Sequence, residues 1–311
     1  MTAGLWWKQK IVAQKAKVKI DDAKAIESCG VMSGINAWKG NKMTGTTAPR
    51  PWALIVGSSS GFGEATSLEL AREGLDIFGV HFDRRSAMSH VNEIVEKIKA
   101  AGRDVMFFNV NAADAEKRAG VLDQIEEYWK QAGGEHFVKV FLHSVAFGSL
   151  LPYLAENSDK QLTQAQMEMT IDVMGSNLVY WVQEMVRRKM FRRGSRIFAL
   201  TSAGGHSVIP NYGAVSAAKA VLESHIRQLA YELMPHGVTA NAIQAGVTIT
   251  PGSSKIPGIE QLAEFARMRN PGGRLTTPQD VASAIAALMS DKTYWMTGNV
   301  IRVDGGEDIV A

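Results

Sequence analysis

From Trp52 onward the chain repeats one pattern: a short apolar run, a polar or glycine-rich turn, then ten or more residues with helical periodicity. Trp52–Val56, Leu75–Phe82, Val105–Val110, Phe137–Leu142, Arg196–Thr201, Thr239–Ile243 and Val300–Val303 read as strands. Between them, Glu64–Glu73, Ser86–Ala101, a stretch ending near Lys130, Gln164–Lys189 and Tyr212–Met234 read as helices. Strands this short, each followed by a helix, pair in parallel through right-handed crossovers. The expected fold is therefore α/β: a doubly wound, Rossmann-like parallel sheet in one domain over 51–311, preceded by an N-terminal extension over 1–50. Ligands of such sheets bind beyond the carboxyl ends of the strands. Gly57, His143, Ser202 and Gly246 all fall at or near those ends.

Composition narrows the class further. At 311 residues, 46% hydrophobic and 21% charged, the chain can bury a sizeable core. No apolar run approaches the length of a membrane span, and Cys29 stands alone, which fits a reducing cytoplasm. Residues 1–50 carry nine Lys/Arg against Asp21, Asp22 and Glu27, a local +6, so the rest of a +3 chain sums to −3. That balance argues against nucleic-acid binding by the main domain. The basic extension, with Trp6 and Trp7, is expected to be an arm on its own oligomer or a loosely ordered leader; an acidic membrane surface or a partner is the alternative. Met43 opens MTGTTAPRPWALIVG, which reads as a natural start for the domain, leaving 1–42 as an add-on or an untranslated stretch. The seven histidines show no recurrent spacing, so no metal site is expected.

Two local patterns carry chemistry. Gly57-Ser-Ser59-Ser60-Gly61-Phe62-Gly63 joins the first strand to the first helix. Glycines allow close backbone approach there, and a helix N-terminus offers N–H groups to a pyrophosphate. After the second strand stands Asp83-Arg84-Arg85. An acid would bind ribose hydroxyls and an arginine a 2′-phosphate, so two guanidiniums beside one carboxylate favour NADP(H), with NAD(H) possible. The second pattern is Tyr212 and Lys219, seven residues apart and hence on one stripe of a helix. Behind a glycine turn, that pair points to proton-coupled hydride chemistry.

From about Ala53 to its end the chain resembles the short-chain dehydrogenase/reductase superfamily, and within it the bacterial enoyl-acyl-carrier-protein reductases. The likeness rests on Tyr-x6-Lys, on the G-x3-G-x-G turn, and on HSVAFG (143–148), VIPNY (208–212), NAIQAG (241–246) and TGNVIRVDGG (297–306). Val215 occupies the place of the tyrosine in the commoner Tyr-x3-Lys pattern. Ser202 stands ten residues before Tyr212, where the best-known enoyl reductases have a second tyrosine; this departure fits an NADPH-preferring branch better.

The resemblance implies roles. Tyr212 would hydrogen-bond a thioester enolate, Lys219 would hold the nicotinamide ribose, and Ser202 would donate to substrate or cap a turn. Asn109 and Val110 would flank the adenine. Ser144, Gly246 and Thr250 would lie on the nicotinamide side, in a loop where Val247 replaces a usual proline. Asp172 would stand where most of the superfamily has a relay asparagine. The implied reaction is reduction of a trans-2-enoyl thioester, on acyl carrier protein, in fatty-acid elongation. The alternative is a carbonyl reductase or alcohol dehydrogenase on the same scaffold. Residues 251–273 read as a lid or an ordinary surface segment, and the long helices with the apolar C-terminus suggest a homotetramer.

Overall fold

The computed structural model describes residues 48–256 and 258–310. The reading of the basic extension therefore lies outside the described residues, apart from its last three. Seven strands form one parallel sheet: β1 (Arg50–Val56), β2 (Asp76–His81), β3 (Val105–Asn109), β4 (His136–His143), β5 (Arg196–Ser202), β6 (Thr239–Ala245) and β7 (Val300–Val303). Their spatial order is β3-β2-β1-β4-β5-β6-β7, with every neighbouring pair parallel. The helices are α1 (Gly61–Arg72), α2 (Met88–Ala100), α3 (Ala115–Ala132), α4 (Gln164–Ile171), α5 (Asn177–Arg187), α6 (Gly213–Leu233), α7 (Ile259–Arg269) and α8 (Pro278–Leu288).

Both faces of the sheet are covered, which explains why its strands read as unbroken apolar runs rather than alternations. In β1, Ala53 and Ile55 join Leu70, Ile94, Val281 and Ile285 on the face covered by α1, α2 and α8. Trp52 turns to the opposite face. It stacks on Phe78 with ring centroids 4.1 Å apart and meets Tyr128 and Trp129 of α3. Its indole Nε1–H donates to His136 Nδ1 at 3.1 Å, so the buried polar atom is satisfied.

The strand order reverses at β1. Chain segments leaving β1 and β4 diverge there, and a crevice opens between their carboxyl ends. Of the expected helices, one differs in kind. The stretch over 164–189 is broken by a five-residue π turn, Asp172–Ser176, between α4 and α5. Gly175 permits it: a β-carbon there would stand 3.0 Å from the Ala218 carbonyl oxygen of α6, so the two backbones pass unusually close. Periodicity could not reveal the break, because the residues on either side keep an apolar face toward α6.

Trp52 anchors the packing of α3 on β1 and β2. Trp52→Ala is expected to cost about 4 kcal/mol of unfolding free energy, read as a lowered midpoint in urea with an unchanged slope.

Candidate active site

The glycine turn is built by steric exclusion. A β-carbon on Gly63 would lie 1.8 Å from the Gly57 carbonyl oxygen, and one on Gly57, whose φ is +94°, would lie 2.2 Å from the Ser144 carbonyl oxygen. The turn therefore folds flat against the end of β4, where Ser144 N–H donates to the Val56 carbonyl at 2.8 Å. Ser60 stands at the N-cap of α1 in extended conformation with its side chain making no cap bond. The first-turn N–H groups of α1 consequently carry no side-chain cap, which leaves them available to a bound pyrophosphate. Ser59 lies in the same turn, which itself stands outside the cavity wall apart from Phe62.

Beside the turn lies a mostly apolar cavity of about 340 Å³. It gathers Phe62, Ser144, Ser202, Tyr212, Lys219, Gly246 and Thr250 from five separate segments. Val215 joins them, packed with Met174 and Ala218 against Leu150 and Tyr212. Phe147, Leu150 and Ile256 line the same space, as do Ile259 and Leu262 of α7.

Tyr212 is not inside the helix. It occupies the N-cap of α6 with φ −99° and ψ 2°, so its phenol projects from the helix end toward the cavity. Burial raises its pKa, and the Ser202 hydroxyl offsets part of the rise. The two do not meet in full hydrogen-bond geometry, and Ser202 Oγ is buried with no partner. A buried hydroxyl left unpaired is a site waiting for an acceptor.

Lys219, 6% exposed, donates from Nζ to the Leu200 carbonyl at 2.7 Å. Two donors of its ammonium remain. Desolvation lowers its pKa to about 8, against the opposing charge of Glu223 one turn on. Glu223 also accepts from Thr201 Oγ1 at 2.6 Å, which ties the helix to the end of β5. His143 is buried at the end of β4 with neither ring nitrogen bonded. Burial first, and the Lys219 charge second, lower its pKa to about 3, so it is neutral at physiological pH.

Other expected residues sit elsewhere. Asn109 clamps the end of β2: its Oδ1 accepts from Asp83 N–H and its Nδ2 donates to the Asp83 carbonyl, both at 3.0 Å. Val110 follows it, with its N–H on the His81 carbonyl. Asp83 is engaged by His81 Nδ1 at 2.9 Å, while Arg84 and Arg85 are exposed. Asp172 is absent from the described cavity lining; its charge acts on the half-desolvated Arg118 of α3. Sequence reasoning missed Glu307, which reaches the cavity from beyond β7 and carries no recognisable spacing to the other site residues.

The cradle and the unpaired donors fit a dinucleotide. Gly63→Ala is expected to weaken its binding at least tenfold, measured by fluorescence titration, with circular dichroism confirming a folded protein.

The family model for enoyl-(acyl carrier protein) reductases matches residues 56–307. A 1-cyclohexenylcarbonyl-CoA reductase of Streptomyces collinus is 30% identical over 86% of this chain and 90% of its own. The NADH-dependent enoyl-[acyl-carrier-protein] reductase FabI of Nostoc is 28% identical over 83% of this chain and 96% of its own. The crystal structure of the Aquifex aeolicus enoyl-[acyl-carrier-protein] reductase superposes with a TM-score of 0.71 at 26% identity, covering 84% of this chain and 97% of that one. With its sheet order, glycine cradle and tyrosine–lysine cavity, the chain belongs to the short-chain dehydrogenase/reductase superfamily, in the family of enoyl-(acyl carrier protein) reductases.

Proposed function

We propose that the protein reduces a trans-2-enoyl thioester, carried on acyl carrier protein, in fatty-acid elongation. The observation that carries this reading is the single cavity in which Tyr212 and Lys219 meet an apolar wall including Leu150, Met174, Val215 and Ile256. A nicotinamide cofactor, when bound, supplies the hydride. The chain's own groups then manage charge. Negative charge develops on the thioester oxygen, and the Tyr212 hydroxyl stabilises it by donating a hydrogen bond within a desolvated site. Ser202 Oγ, buried and unpaired, is a second donor for that oxygen. Lys219 holds the ribose with the donors not used by Leu200. The apolar wall excludes water and accommodates the acyl chain.

NADPH is proposed as the preferred cofactor. Arg84 and Arg85 are exposed at the end of β2, whereas the Asp83 carboxylate is already held by His81. The Nostoc relative is named for NADH, so this preference rests on those residues. Arg84→Ala should weaken NADPH binding roughly tenfold and leave NADH unchanged. The reading extends to a cytoplasmic homotetramer. Among the described residues no helix is long and apolar enough to cross a membrane, and Trp295, Val300 and Ile309 expose an apolar edge beside β7. Sedimentation tests the assembly.

A ketone reductase on the same scaffold is the second reading, favoured by Ser202 standing where a carbonyl could be positioned. Crotonyl and acetoacetyl thioesters, each with NADPH and NADH, separate the two. Turnover of the enoyl substrate is expected; turnover of the keto substrate alone rejects the first reading. Tyr212→Phe should lower kcat by about a hundredfold while sparing cofactor affinity. The Lys219 ammonium is present below its pKa, so kcat/KM should fall above pH 8 with an apparent pKa near 8. Glu223 raises that value, so Glu223→Gln should move the alkaline limb to lower pH.

A further inference from the structure

Glu307 is the sole acid, and Lys219 the sole base, among the described residues lining the cavity. Its side chain comes from the turn after β7 and is 6% exposed. Both carboxylate oxygens lie 3.2 Å from one donor, the Val247 N–H. A carboxylate can accept about four hydrogen bonds, so a single shared N–H leaves most of that capacity unfilled. Desolvation raises its pKa, and neighbouring Asp304 and Asp308 add to the effect. Those neighbours are satisfied differently. Asp304 caps Gly306 and Asp308 N–H, and the Asp308 carboxylate is bound by His206, Gln244 and Arg302. Neither Asp304 nor Asp308 lines the cavity.

Glu307 is also held in place from behind. Arg269 at the end of α7 grips its carbonyl oxygen through Nε and Nη2, at 3.0 and 2.8 Å. Asn270 donates to the Asp304 carbonyl at 2.7 Å. The carboxylate is thus fixed against the loop after β6, which lines the same cavity as Tyr212 and Lys219. Because residue 247 is valine and not proline, it brings the backbone N–H that Glu307 accepts.

We propose that Glu307 is a cofactor-binding residue, whose carboxylate accepts the –NH2 of the nicotinamide carboxamide. It rests on the dinucleotide reading above. The carboxamide presents two N–H donors and needs a buried acceptor; Glu307 is a buried acceptor short of donors. With Lys219 holding the ribose, the carboxylate would fix rotation about the ring-to-amide bond and so the ring face that meets substrate.

A 3-acetylpyridine analogue, which has CH3 in place of NH2, isolates this contact. Dissociation constants for the full-length protein are measured by fluorescence for the reduced natural cofactor and for its reduced acetylpyridine analogue. Wild type should bind the analogue roughly tenfold more weakly, the usual loss for a hydrogen bond to a charged group. Glu307→Ala alone would leave the Val247 N–H buried without a partner. The test variant is therefore Val247→Pro/Glu307→Ala, in which that N–H is removed together with its acceptor. Its ratio of the two constants should collapse to about one, through weaker binding of the natural cofactor, and Glu307→Gln should fall between. A wild-type ratio in the double variant overturns the proposal, as does a holoenzyme crystal structure with the carboxamide nitrogen beyond hydrogen-bond reach of both Glu307 oxygens. Wild type that binds neither NADPH nor NADH would instead refute the dinucleotide reading itself.

Discussion

The reversal of strand order at β1 governs this molecule. Because β2 and β4 flank β1 and the chain leaves the two sides in opposite directions, the carboxyl ends of β1 and β4 stand side by side with no crossover between them. The gap is closed at its base by backbone alone: Ser144 N–H bonds the Val56 carbonyl, and the Gly57 turn lies against the Ser144 carbonyl. Nothing larger than glycine fits that contact. The orientation of α1, and of the N–H groups at its start, follows from it.

The remaining site residues are placed relative to that gap by strand ends. β5 carries Ser202 and leads into the loop that delivers Tyr212 to the N-cap of α6; β6 leads into Val247–Thr250; β7 leads into Glu307. Lys219 and His143 are both deeply buried, yet their consequences diverge. The lysine keeps a pKa of about 8 and stays charged at neutral pH, while the histidine at about 3 is neutral. The cavity therefore holds one cation at one end and one carboxylate on its wall, within apolar surroundings that exclude water and magnify both.

The legible part of the sequence was the part written in local periodicity. Seven strands were recognisable because each is a short apolar run covered on both faces, and Gly57–Gly63 because a strand-to-helix turn with that spacing has few uses. Tyr212 and Lys219 are legible through their separation, and both line one cavity, Tyr212 from the N-cap of α6. Asn109, which the resemblance assigns to the adenine, pairs its amide with the backbone of Asp83 at the end of β2, a contact that spacing along the chain does not show. The π turn at Asp172–Ser176 was invisible because apolar periodicity survives one extra residue.

By itself the sequence determined the parallel sheet, the glycine cradle, and which residues could carry hydride chemistry, since each depends on neighbours a few positions away. Only tertiary structure decided that Ser202 is buried without a partner, that Asp83 is held by His81, and that Glu307 meets Val247 across 60 residues. Such pairings depend on where strand ends meet in space, and burial sets their strength. Neither quantity is a property of spacing along the chain.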